Sequence, residues 1–179
     1  SPIRRFFVKL QDMKVIIVNE QDEVIGTRDW TTTPPDDITR VSALWVYNSK
    51  KEVLIAQRAL TKRFSPGLWG PAAAGTVEEG ETYLSNILKE TQEELGIELK
   101  ESDLVVASHE LQKSEHTYYR QFFMAKLDLP IEAFTIQKSE VESLRWIASE
   151  ELYEWLEKSP EQFSPSFRTY CQEFKILMK

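Results

Sequence analysis

GTVEEGETYLSNILKETQEELGI, residues 75–97, is the stretch on which the reading of this chain turns. A glycine-containing turn leads to Glu81, and the helix-forming run after it carries Glu90, Glu93 and Glu94. At about 100° per residue these three carboxylates share an arc of roughly 100°. Leu84, Leu88, Thr91 and Leu95 cluster on a different face, the one suited to burial. Like charges crowded on one helix face cost stability, so a positive group is expected to offset them. Hard oxygen ligands in this number suit Mg²⁺ or Mn²⁺. Taken alone, the helix reads as amphipathic with a solvated acidic face. The spacing of the whole stretch favours the site.

Outward from this stretch the elements alternate. Met13 to Val18 and Val24 to Arg28 read as an N-terminal hairpin around a polar turn. Residues 1–12 are read as a flexible N-terminal segment. Pro34 and Pro35 interrupt regular structure in the loop from Thr31 to Asp37. Val41 to Tyr47 and Val53 to Arg58 form a second strand pair, and a short strand from Gly70 to Val77 leads into a helix over Thr82 to Leu95. Gly96 suits that helix's C-cap. Leu104 to Leu111, Tyr118 to Leu127 and Ser143 to Ile147 read as further strands. Ser149 is placed as the N-cap of a helix through Glu157, and Glu161 to Phe174 as a last helix. Strands with helices between and after them indicate an α+β fold, a mixed α/β sandwich in one domain over residues 1–179.

A length of 179 residues suits one domain with a real core, and 41% hydrophobic with 28% charged residues is a globular balance. No apolar run reaches the length of a membrane span, and no signal-peptide pattern opens the chain, so a cytoplasmic protein without a membrane partner is expected. The net charge of −7 opposes binding to a nucleic-acid polymer. It is compatible with a small phosphorylated substrate. Cys171, the single cysteine, fits a reducing compartment and reads as a buried structural thiol.

Gly75, Glu81, Lys89-Glu90, Glu93-Glu94, Gly96 and Ile97 together resemble the Nudix box, G-x5-E-x7-REU-x-EE-x-G-U, where U is aliphatic. Lys89 replaces the usual arginine, keeping charge but losing the planar fork, and Thr91 replaces an aliphatic residue. The resemblance implies a Nudix fold, a central mixed sheet between helices. It also implies a Mg²⁺- or Mn²⁺-dependent enzyme acting on a small diphosphate. Glu90, Glu93 and Glu94 would then be the metal ligands, with the backbone of Ala74 or Gly75 completing the shell. One glutamate would act as base, and Glu81 would orient Lys89. Some relatives recruit a further carboxylate before a late strand; Glu140 and Glu142 are the candidates, although an exposed acidic loop is the plainer reading. His109 and His116 have no motif around them and read as structural or surface residues. Trp69 and Trp146 look like core or wall and Trp30 and Trp45 are candidates for substrate contact, and nothing in the sequence separates those readings.

Val18 to Thr27 (VNEQDEVIGT), Gln57 to Lys62 (QRALTK), Pro66 to Trp69 (PGLW) and Phe163 to Phe167 (FSPSF) are similar to isopentenyl-diphosphate isomerases and related hydrolases. The resemblance implies that Arg58 and Lys62, about one helical turn apart, hold a diphosphate. The isomerase reaction also needs a cysteine where this chain has Ala74 and a histidine where it has Thr76. An alanine methyl cannot carry a proton, so hydrolysis of a diphosphate linkage is favoured over isomerisation. A diphosphate-binding module without turnover is a third reading. Substrate selection is expected from the loops Trp30 to Arg40 and Glu110 to Tyr119. The N-terminal hairpin is free to extend the sheet, cover the pocket or meet a second subunit in a homodimer.

Overall fold

The computed structural model describes residues 13–177, so residues 1–12, read above as a flexible segment, lie outside the described part. Nine strands form one mixed sheet: β1 (Lys14–Val18), β2 (Val24–Asp29), β3 (Ile38–Tyr47), β4 (Glu52–Arg58), β5 (Trp69–Gly70), β6 (Ala73–Thr76), β7 (Val105–Lys113), β8 (Thr117–Lys126) and β9 (Val141–Ala148). The three α-helices are α1 (Tyr83–Leu95), α2 (Ser149–Lys158) and α3 (Pro165–Leu177). None is long and apolar enough to cross a membrane.

The organising strand is β3. One edge runs parallel to β8 over nine residues, Thr39 to Tyr47. Its antiparallel partners β1, β6 and β4 follow one another along the chain direction of β3. Because side chains alternate across a strand, β3 serves both sheet faces. Leu44 and Val46 join Ile87 and Leu95 of α1 in one core. Ala43 and Trp45 join Leu152 of α2 and Phe167, Tyr170 and Phe174 of α3 in the other. The result is the expected sandwich of a mixed sheet between helices.

The hairpin β1–β2 extends the sheet through β1, which pairs with β3, and β2 forms an edge exposed along its length. Asp22, in the left-handed region at φ 59°, latches the hairpin turn. Its carboxylate accepts from the Arg40 guanidinium (2.7 Å) and the Tyr83 hydroxyl (2.9 Å), and lies 2.9 Å from Nε2 of His109.

Several sequence expectations change. Gly70 to Val77 is two short strands, because Pro71 has no amide to continue the ladder. Ser149 is the first residue of α2 rather than its N-cap; Ala148 takes that position without a side-chain cap. Residues 160–162 form a separate 3₁₀ turn and α3 starts at Pro165, whose ring suits a first helical turn. Trp45 is not a substrate contact. It is fully buried and stacks on Phe174 with ring centroids 4.4 Å apart. Cys171 is buried as expected, and burial raises its thiol pKa.

Candidate active site

Local chemistry fixes where α1 begins and ends. The Thr82 hydroxyl accepts from the Ser85 amide at 3.1 Å, and the Ser85 hydroxyl accepts from the Thr82 amide at 2.9 Å, a reciprocal cap made with serine. Gly96 ends the helix at φ 67°, a conformation glycine adopts without a Cβ penalty. The buried face differs from the one the leucines suggest: Asn86, Ile87, Thr91, Glu94 and Leu95 are buried, while Leu84 and Leu88 are partly covered. Polar members of this face have partners. Asn86 accepts from the Ser42 hydroxyl at 2.8 Å, and Thr91 donates to its own helix at the Ile87 carbonyl (2.7 Å). That internal bond lets threonine occupy an aliphatic position.

The three box glutamates separate in space. Glu94 is 7% exposed and accepts from the Ala74 amide at 3.2 Å. Glu90 lies flat on the backbone of β6: a Cβ built on Gly75 would meet the Glu90 carboxyl carbon at 2.4 Å. That close approach is the physical reason for glycine at the start of the box. Glu93 is on the exposed side of α1. Burial raises the carboxyl pKa of Glu94, with Glu90 and Glu140 adding to the effect. Burial also raises that of Glu90, against Lys89 and together with Glu93 and Glu140. A corner of buried, mutually repelling carboxylates is held here at a cost.

Lys89 supports the corner from the side. Its ammonium lies 2.5 Å from Glu81, 2.7 Å from Glu78 and 3.7 Å from Glu90. Burial works against the charge on Lys89, but the Glu78 and Glu81 bonds outweigh it and its pKa is raised. Glu81 also accepts from the Glu78 amide (3.0 Å) and from Asn86 (2.9 Å). This carboxylate is used up in positioning Lys89 and the turn before α1, as expected of it.

A cavity of about 380 Å³ is bordered by Ala74, Gly75 and Thr76 of β6. Glu94 accepts from the Ala74 amide and Glu90 lies against Gly75, so the same strand borders both the cavity and the carboxylate corner. Arg58 and Lys62 both line the cavity, although they are not on a helix: Arg58 ends β4 and Lys62 closes the turn that follows. Lys62 forms an ion pair with Glu140, whose side chain is 17% exposed. Glu140 is therefore a wall residue of the cavity, not part of an exposed acidic loop; Glu142 is exposed. The lysine and Glu140 both act electrostatically on Glu90 and Glu94, which ties the corner to the cavity.

The remaining wall was not singled out from sequence. Tyr118, Arg120 and Phe122 alternate along β8 and face the cavity. Arg120 is 2% exposed, donates to the Ser166 carbonyl at 3.2 Å, and stacks on Tyr170. The alternation itself was the available signal, an arginine between two aromatics on the inward side of a strand. Trp30, as expected, lines the mouth, with Phe64 and His116.

Oxygen donors of the corner fit a hard divalent cation. Glu90 and Glu94 are buried together and each raises the other's proton affinity or is raised by a neighbouring carboxylate, a cost that a cation offsets. Among the described residues no three carboxylate, histidine or cysteine side chains already converge as a ligand set.

Comparison with known proteins fits this geometry. The NUDIX domain model matches residues 36–167, well over half of the chain. The chain belongs to the Nudix family. An uncharacterized Nudix hydrolase of Listeria monocytogenes is 32% identical over 154 residues, covering 84% of this chain and 88% of that protein. The isopentenyl-diphosphate Delta-isomerase of Enterobacter sp. (strain 638) is 27% identical over 158 residues, covering 84% and 85% respectively. In structure, DR0079 from Deinococcus radiodurans matches with a TM-score of 0.74 at 21% identity, over 89% of this chain and 98% of that one. Curated relatives of this Nudix protein thus divide between hydrolases and isomerases. Its fold is the mixed α+β Nudix fold with an N-terminal hairpin before the matched region.

Proposed function

We propose that this Nudix protein is a Mg²⁺- or Mn²⁺-dependent hydrolase that cleaves a diphosphate linkage in a nucleoside diphosphate derivative or related organic diphosphate. The observation that carries the reading is the Glu90–Glu94 corner, packed against Ala74 and Gly75, which also border a cavity lined by Arg58 and Lys62. Glu90, Glu93, Glu94 and the backbone carbonyl of Ala74 would hold the cation, which when bound neutralises phosphate oxygens and makes a water molecule more acidic. Arg58 and Lys62 grip the diphosphate from the far side, Lys62 exchanging its bond with Glu140 for one with phosphate. One of the clustered glutamates would take the proton from the attacking water. The Ala74 amide holds Glu94 in place for that role. Lys89, bound to Glu78 and Glu81, positions the helix turn that carries Glu90.

The isomerase relatives supply the second reading. Ala74 and Thr76 both border the cavity where that chemistry needs a proton-carrying cysteine and a histidine. Neither can replace them, and this supports hydrolysis. The test is Mg²⁺-dependent release of phosphate or pyrophosphate from nucleoside di- and triphosphates, sugar nucleotides, dinucleotides and isopentenyl diphosphate, with Glu94→Gln in parallel. Release that disappears in the variant supports the reading. Conversion of isopentenyl diphosphate to its isomer without phosphate release would overturn it.

A further inference from the structure

The mouth of the cavity is built around one histidine. The imidazole of His116 lies between two rings, stacked on Phe64 with centroids 4.0 Å apart and on Tyr118 at 4.6 Å, and Trp30 meets it edge-on at 6.3 Å. Both faces are covered, so only the ring edge is left for a ligand. The two loops that bring these rings together are tied by Glu115, whose carboxylate accepts from the Ser65 amide and hydroxyl, each at 3.0 Å. Ser65 is held at φ 47°, in the left-handed region. The clamp is therefore preformed.

The ring edge has a direction. Nδ1 is buried and has no hydrogen-bond partner among the described residues, and His116 itself lines the cavity. A buried N–H without an acceptor is rarer and costlier than a buried lone pair, so the proton belongs on Nε2. The pKa of His116 is lowered to about 4 by burial and by Arg63 and Arg58, which keeps the ring neutral at physiological pH.

We infer that Nε2–H of His116 is the specificity-determining donor of the cavity, reading a hydrogen-bond acceptor on the organic half of the substrate. The inference rests on the diphosphate reading above and narrows it. The preferred substrate carries a hydrogen-bond acceptor on its organic half, as a nucleobase does and a bare hydrocarbon chain does not. A hydrocarbon fills the aromatic mouth equally well but leaves the donor without a partner.

Binding decides this independently of turnover. The probes are the four common nucleoside 5′-diphosphates and isopentenyl diphosphate, measured by calorimetry with Mg²⁺ on the wild type, His116→Phe and His116→Gln. All of these probes carry the same diphosphate. The expected result is that at least one nucleoside diphosphate binds wild type about 10-fold or more tightly than isopentenyl diphosphate. His116→Phe, which keeps the stack, removes that preference and leaves isopentenyl diphosphate within about 2-fold, while His116→Gln, which keeps a donor, restores part of it. An equal loss for both kinds of probe places the donor on the diphosphate and overturns the inference. So does an unchanged preference in His116→Phe, or tighter binding of isopentenyl diphosphate by the wild type. Should His116→Phe fail to fold, His116→Leu, which also lacks the donor, gives the same comparison. Binding with the expected preference but without turnover would count against the hydrolase reading alone.

Discussion

The two ends of the cavity are held by opposite means. At the box corner, Glu90 and Glu94 are buried beside each other and in the field of Glu140, so the folded chain carries a repulsion it does not relieve by itself. At the mouth, Trp30, Phe64, His116 and Tyr118 pack in mutually favourable ring contacts, and Glu115 ties their loops. The first end is destabilised where charge is to be handled, and the second is settled where shape is to be recognised. Under the proposed hydrolase reading, this difference suits a site that handles charge at one end and recognises shape at the other.

The sharpest way to break the comparison is Glu94→Gln. The amide oxygen still accepts from the Ala74 amide, but the buried charge is gone. Turnover should fall by about 10²–10⁴-fold. Thermal stability without metal should rise at pH 7.5, by on the order of 1 kcal/mol or about 2–4 °C in a chain of this length. A lower Tm would show that the corner is not under electrostatic strain.

Gly75→Ala tests the same corner sterically. The added methyl meets Glu90 at 2.4 Å, so Glu90 must move or β6 must yield. The expected cost is about 1–3 kcal/mol of stability, with turnover reduced at least about 10-fold. Gly26→Ala is the control. A Cβ at Gly26 has no atom within 4 Å, and denaturation midpoints should stay within about 0.5 kcal/mol of wild type.

How much of this was visible in the sequence follows from where each constraint acts. Spacing within one helix is local, so the order of Gly75, Glu81, Glu90 and Glu94 was legible, as was the pairing of Glu81 with Lys89. Which carboxylates turn inward was not. That depends on β6 passing close to α1, and it separates the buried Glu94 from the exposed Glu93 one residue away. Glu140 looked like an acidic loop because its partner, Lys62, is 78 residues earlier. The aromatic mouth gathers Trp30, Phe64 and His116 from three separate loops, and no periodicity links them. Trp45 stays undecided between core and substrate contact in the sequence, because a lone tryptophan in a strand does not reveal its face until the neighbouring layers are known. Arg120 was missed, although its place between Tyr118 and Phe122 on one strand was a readable sign.

The pH dependence of stability separates the two ends most cleanly, because they titrate with opposite sign. Glu90 and Glu94 have carboxyl pKa values raised in the folded state by burial first, with Glu93 and Glu140 adding for Glu90 and Glu90 and Glu140 adding for Glu94. Their contribution to stability is present below the unfolded value of 4.5 and is lost as pH rises through the raised range. Without metal, the wild type should therefore lose stability as pH rises from about 4.5 toward 8, and Mg²⁺ should restore it progressively more at the higher pH values. His116 has its pKa lowered from 6.5 to about 4, by burial first and then by Arg63 and Arg58. Its contribution is present above 6.5 and is lost as pH falls toward 4, by at most on the order of 3 kcal/mol. Thermal melts of wild type, Glu94→Gln and His116→Phe across pH 4 to 8 should show the first variant flattening only the alkaline limb and the second only the acid limb. If either variant flattens both limbs, the corner and the mouth are one coupled electrostatic unit, and the division of labour between them fails.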